Sequence, residues 1–212
     1  MTITHRSDIP LGGFAGVREH RMHMAQALDE ALMGSFIYLA DATFIPHGET
    51  RMHPHRDVDI VSVMLKGRIE HRGSLGDGTI LDEKTIQVQR AGSGMRHNEV
   101  NPDAGSNRML QIWFLPPRQE MEPGYQTFMA KKGEMVSVLG GRDTFDNAAH
   151  LRVADFDRGG RLEVGEPCVL YIATGTGRAG DQEIIEGDLI VAESITIEVT
   201  EAMEAMVITR NP

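Results

Sequence analysis

Arg51-Met52-His53-Pro54-His55-Arg56-Asp57-Val58-Asp59 is the stretch on which the reading of this chain turns, and its counterpart lies about forty residues on, at Gly92-Ser93-Gly94-Met95-Arg96-His97-Asn98-Glu99. Each holds two ligand-type side chains two residues apart: His53 with His55, and His97 with Glu99. On an extended strand that spacing turns both side chains to one face. Two such strands can bring three imidazoles and a carboxylate to a single point. The flanking residues, Val58 to Leu65 and Met109 to Leu115, are rich in β-branched and aliphatic side chains and suit strands. With nine histidines in the chain, one His-x-His pair decides nothing. A second pair with its own glycines, at a hairpin-scale distance, points to one metal ion inside a small β-barrel.

Beyond these pairs the same region carries Leu65-Lys66-Gly67-Arg68-Ile69-Glu70-His71-Arg72-Gly73-Ser74-Leu75-Gly76, then Leu110-Gln111-Ile112-Trp113-Phe114-Leu115-Pro116 and Pro123-Gly124-Tyr125. Together with His53-Pro54-His55-Arg56 and the glycine-rich run ending in Glu99, this combination closely resembles the pirin family of the cupin superfamily. The resemblance is strong over His47 to Tyr125 and weak elsewhere. It implies an all-β bicupin, two consecutive small β-barrels of jelly-roll type with little helix. Residues 1–120 would form a metal-binding cupin domain and residues 121–212 a metal-free one. One metal would be held through the positions matching His53, His55, His97 and Glu99. Asp59 occupies the place of the acidic ligand in the general cupin motif. In pirins that position carries a glutamate that is not a ligand, so Asp59 is expected to orient an imidazole or an arginine such as Arg56.

Composition sets the outer limits. The chain has 212 residues, 25% charged and 41% hydrophobic, as ordinary globular material does. A formal net charge of −10 without a Lys/Arg cluster argues against nucleic acid or an anionic membrane as partner. Cys168 is the single cysteine, so no intramolecular disulfide forms. No signal-peptide core or membrane-length apolar run is present, and a cytoplasmic location is the expectation.

Along the chain, Thr2 to Gly16 is turn-rich. The spacing of Met22, Ala25, Leu28, Ala31 and Leu32 predicts a short helix over Glu19 to Met33, ended by Gly34, with His20 and His23 facing solvent. This segment departs from the pirin pattern. Ser35 to Ile45, Val58 to Leu65, Arg68 to His71 and Met109 to Leu115 read as strands, and Pro54 places its strand at an edge or bulge. His71 is expected to be structural, and Trp113 to sit in the core. Pro116 to Gly124 holds three of nine prolines and marks a linker. From Val136 to Thr209, short strand candidates follow at turn-punctuated intervals. His150 is the one histidine there, without a second ligand pair, and Cys168 is expected to be a buried, inert thiol.

Three neutral imidazoles and one carboxylate leave two positions of a six-coordinate ion open. Fe(II), Mn(II), Ni(II), Cu(II) and Zn(II) all suit such a donor set, and the family resemblance favours iron. The resemblance further implies a dioxygenase like those that open the flavonol quercetin with O₂ and release carbon monoxide, with Glu99 as catalytic base for the 3-hydroxyl. The partners would then be a small aromatic substrate and O₂. A second reading stays open: a non-enzymatic, iron-binding, redox-responsive regulator that docks on a protein such as a transcription factor.

Overall fold

The computed structural model describes residues 1–27 and 30–211. The chain begins with β1 (Thr2–His5), a single 3-10 turn, β2 (Leu11–Phe14), β3 (Val17–Met24) and β4 (Phe36–Phe44). Next come β5 (His53–His55), β6 (Asp59–Lys66), β7 (Ile69–Gly73), β8 (Thr79–Leu81) and β9 (Thr85–Arg90). β10 (Met95–Val100), β11 (Asn107–Phe114) and β12 (Gly124–Met129) complete the first half. The rest is β13 (Glu134–Leu139), β14 (Ala149–Phe156), β15 (Arg161–Val164), β16 (Cys168–Ala179), β17 (Gln182–Ile185), β18 (Asp188–Ala192) and β19 (Ile195–Arg210). All named pairings are antiparallel. The all-β expectation holds, and among the described residues no α-helix occurs and no helix is long and apolar enough to cross a membrane.

Two compact units emerge. One comprises Pro10–Ala31 and Phe36–Met129; the other comprises Met1–Ile9, Leu32–Ser35 and Ala130–Pro212. The former therefore takes in β12, beyond the proline-rich linker, and the latter takes in β1 from the start of the chain, where it pairs with β18.

The unit that carries both ligand pairs has a seven-stranded sheet, β12-β9-β6-β11-β4-β3-β2, and a four-stranded sheet, β5-β10-β7-β8. Phe44, Met64 and Met109 of the larger sheet meet Ile69 and Leu81 of the smaller in one buried cluster. β5 is an edge strand, where the missing N–H of Pro54 costs no ladder bond on its open side. The other unit builds a single eight-stranded sheet, with Leu170, Ile172, Ile197 and Val207 in its buried cluster.

One segment departs from the sequence reading. Instead of a helix over Glu19 to Met33, residues 17–24 form β3, hydrogen-bonded to β2 on one side and β4 on the other; Leu28 and Asp29 lie outside the described residues. Helix propensity is a weak prior, and the two flanking strands satisfy the backbone donors and acceptors of this segment. A register shift between Arg21 and His23 breaks the alternation, which left Met22 and its neighbours with helix-like spacing.

Candidate metal centre

β5 and β10 run antiparallel with His53 opposite His97 and Met95 opposite His55. Strand alternation therefore carries His53, His55, His97 and Glu99 to one side of the smaller sheet. The three imidazole centroids lie 4.6 to 4.8 Å apart. Their Nε2 atoms converge: His97 Nε2 is 3.0 Å from His55 Nε2 and 3.1 Å from His53 Nε2.

The outer nitrogens explain this orientation. His53 Nδ1–H donates to the Arg51 carbonyl at 2.7 Å, and His97 Nδ1–H donates to Gln89 Oε1 at 3.1 Å. A neutral imidazole carries one proton, so both rings present a bare Nε2 lone pair to the other. Two lone pairs facing at 3.1 Å repel, and an electron-pair acceptor between them removes the repulsion. Burial and the adjacent His53 push the His55 pKa down to about 4. Burial and the neighbouring imidazoles push that of His97 down to about 2. Neutral imidazoles are the form that binds metal. Nitrogens at right angles around an ion held at about 2.1 Å stand about 3.0 Å apart, against about 3.4 Å for a tetrahedral ion. The two observed separations are 3.0 and 3.1 Å.

Glu99 lies fully inside, two residues beyond His97. Ser62 Oγ stands 3.1 Å from its Oε1, and Gln111 Nε2 donates to its Oε2 at 3.1 Å. Burial raises its pKa to about 7, opposed in part by those two bonds. A carboxylate held this way gains from a cation. One of its oxygens clusters within 4.8 Å of ring nitrogens of His71 and His97, while His53, His55 and His97 form the other such cluster. His71, read in the sequence as structural, thus borders the centre: it stands opposite Glu99 in the pairing of β7 with β10, donates Nε2–H to the Leu75 carbonyl at 2.8 Å, and packs 5.4 Å from the His97 ring.

Asp59 is not part of this cluster. It forms a buried ion pair with Arg90, not with Arg56, whose partners are Glu120 and Asp57. His20 and His23 lie on β3 and not on a helix; His20 stands opposite Asp41, and the His23 ring packs on Phe36 at 4.7 Å.

A cavity of about 430 Å³ opens beside the imidazoles, with His53, His55 and Glu99 in its wall. Phe14, Phe44, Tyr38 and Trp113 make much of the remaining lining. Trp113 therefore faces the cavity, 4.6 Å from Tyr38 and 5.4 Å from His55, and is only partly a core residue. Polar side chains interrupt this apolar surface, Glu19, Arg21, Thr50 and Gln111 among them. Glu19, buried on β3, accepts from Arg21 Nε at 2.7 Å and from the Tyr38 hydroxyl at 3.0 Å. Burial and the charge of Glu19 hold the Tyr38 phenol well above its ordinary pKa, so it stays protonated. Reading this segment as a helix hid these wall residues; alternation of Glu19 and Arg21 was the available signal.

Two sheets around an inward-facing histidine and glutamate cluster define a cupin-type protein, and comparison with known proteins narrows the class. The Pirin family profile matches residues 16–114. A protein of Pseudomonas aeruginosa named "Putative quercetin 2,3-dioxygenase" is 32% identical over 164 residues, covering 70% of each chain. The quercetin 2,3-dioxygenase of Escherichia coli K12 is 35% identical over 75 residues, 35% of this chain and 32% of that one. The bacterial pirin YhhW of Escherichia coli, solved with nickel(II), superimposes with a TM-score of 0.84 at 19% identity, covering 100% of this chain and 99% of that chain. The chain belongs to the pirin family.

Proposed function

We propose that this protein is a metal-dependent dioxygenase acting on a planar phenolic or enolic substrate of the flavonol type, with His53, His55, His97 and Glu99 as ligands to one divalent transition ion. The observation that carries this reading is the convergence of the Nε2 atoms of His53, His55 and His97 beside an aromatic-lined cavity whose wall includes His53 and His55. The spacing of the nitrogens favours an ion that accepts six ligands, such as Fe(II), Ni(II) or Mn(II), over tetrahedral zinc. When bound, the ion supplies positive charge that favours an ionised substrate hydroxyl, and open positions beside it.

The chain's own groups supply the rest. Trp113, Tyr38 and Phe44 offer faces for a flat ring system, worth roughly 0.5–1.5 kcal/mol per well-placed aromatic pair beyond area burial. Glu99 is the base: its buried carboxylate stands beside the imidazoles, in the cavity wall, where a substrate hydroxyl would meet it. Glu19 and the Tyr38 hydroxyl give the far wall polar atoms that can meet a second substrate hydroxyl. A regulator that docks on a protein needs a covered ion only, and the cavity at the imidazoles favours the enzyme.

The test is metal content by elemental analysis of the native chain, His53→Ala and Glu99→Ala, followed by O₂ uptake with quercetin after anaerobic loading. About one ion per native chain, lost in the variants, with metal-dependent uptake, is the expected result. No uptake by the Fe-, Mn-, Ni- and Cu-loaded forms across a flavonoid panel would overturn the dioxygenase reading.

A further inference from the structure

Gln87 and Gln89 sit two residues apart on β9, on one face, and both are fully buried. A buried amide must find partners for its carbonyl and its amino group or lose roughly 1–3 kcal/mol for each left unpaired. These two find them in a single run that ends on a candidate ligand. The Tyr125 hydroxyl donates to Gln87 Oε1 at 2.9 Å, Gln87 Nε2 donates to Gln89 Oε1 at 3.0 Å, and His97 Nδ1 donates to the same oxygen at 3.1 Å.

The run has a direction. The phenol proton of Tyr125 goes to Gln87 Oε1. Gln87 must then turn its carbonyl to Tyr125 and its amino group to Gln89. Gln89 in turn must offer its carbonyl to Gln87 and to His97, because an amino group there would meet a second donor. His97 is thereby obliged to carry its proton on Nδ1, and Nε2 keeps its lone pair toward His53 and His55. The opposite amide orientation would move the proton to Nε2, where it would point at the other two imidazoles and remove the third donor from the site.

The other end of Gln89 is poorly served. Its amino group has His71 Nε2 at 3.2 Å, but that nitrogen commits its proton to Leu75, so the remaining acceptor is Met95 Sδ at 3.7 Å. Stability alone would not choose a glutamine that wastes half its amide.

We infer that Gln89 is a positioning residue that selects the metal-binding tautomer of His97, with Gln87 and Tyr125 setting the orientation of its amide. The inference rests on the proposed metal centre. Nothing in the His53, His55, His97 and Glu99 set assigns a role to these three residues.

The first measurement is the long-range ¹H–¹⁵N spectrum of the histidines in the native, metal-free chain at neutral pH, with His97 expected to carry its proton on Nδ1. In Gln89→Met, which keeps side-chain volume, the proton should move to Nε2, where His53 or His55 can accept it. Ni(II) affinity by chelator competition should fall ten- to hundredfold, the usual effect of removing a group that orients a ligand. A purely structural glutamine would change neither tautomer nor affinity at unchanged fold. An Nε2-protonated His97 in the native chain overturns the assignment, as does a folded Gln89→Met with native tautomer and affinity. If the native chain binds no Ni(II), or His53→Ala binds it as well, the metal centre itself fails. The tautomer of the native chain still decides the role of Gln89 in that case, and it requires no variant to fold.

Discussion

Asp59 and Arg90 face each other across β6 and β9 in a two-pronged ion pair, with Nε to Oδ1 at 2.8 Å and Nη2 to Oδ2 at 2.7 Å, both side chains sealed from solvent. The pair ties the two strands together where the chain leaves β9 for the Ala91-Gly92 turn. Removing one partner leaves a charge buried without its counterion, which costs about 3–5 kcal/mol, whereas a solvent-exposed pair contributes about 0–1 kcal/mol. Asp59→Ala should therefore lower the free energy of unfolding in urea by about 3–5 kcal/mol. Arg68→Ala, which breaks the exposed, solvent-screened pair with Asp103, should change it far less. Equal losses in the two variants would refute this ranking.

Gly92 shapes the turn that delivers His97. Its φ is +49°, and a Cβ there would lie 2.1 Å from the Met121 carbonyl oxygen, so neither the backbone angle nor the space admits a side chain. The left-handed conformation alone costs an L-residue roughly 1–2 kcal/mol, and relieving the contact adds to it. The turn is also bonded on both sides, Asp57 N–H to the Gly92 carbonyl and Ser93 N–H to the Met121 carbonyl. Gly92→Ala should lower the melting temperature and weaken metal binding together, because β10 shifts against β5. A variant with a lower melting temperature but native metal affinity would show that the turn does not position His97.

The shared face of His53 with His55, and of His97 with Glu99, was legible in the sequence because it needs only strand parity and holds whatever the register. Partners across strands were not legible. Asp59 meets Arg90, and His97 meets Gln89, through the pairing of β6 with β9 and the juxtaposition of β9 and β10. Parity reveals which face a residue takes but not which neighbour stands there. His71 illustrates the same limit, since only the register of β7 against β10 sets it opposite Glu99. The error over Glu19 to Met33 has a different origin. One irregular step in β3 breaks the alternation, and helix-forming residues then mimic a helical stripe, concealing that Glu19 and Arg21 line the cavity.

The burial of Cys168 was legible in the sequence, and its expected chemistry follows from its place. The thiol begins β16, is fully buried, and belongs to the apolar cluster around Leu170 and Ile172. Burial, helped by Glu166, pushes its pKa up to about 11, so almost no thiolate exists at pH 8. The thiolate is the reactive form. Native protein should consume no measurable Ellman's reagent at pH 8 over the time in which urea-unfolded protein consumes one equivalent. Rapid labelling of the folded chain would contradict the burial.

His5 and Asp188 provide a pH test that is independent of the metal centre. His5 Nδ1–H donates to Asp188 Oδ1 at 2.6 Å, and the carboxylate, buried at the other end, also accepts the Ile185 N–H. The hydrogen bond and the charge of Asp188 raise the His5 pKa above 6.5. A pKa raised in the folded state means that folding favours the protonated ring. The stabilisation is therefore complete below pH 6.5 and disappears as pH rises through the raised folded value. Because His5 ends β1, which is held to the rest of its sheet by β18 alone, the loss should appear locally. Amide exchange at Thr2 to His5, corrected for the intrinsic rate, should lose protection between pH 6 and pH 9, and His5→Gln should flatten that dependence while leaving β14 and β19 unchanged. The same pH dependence in His5→Gln would assign the effect to another group.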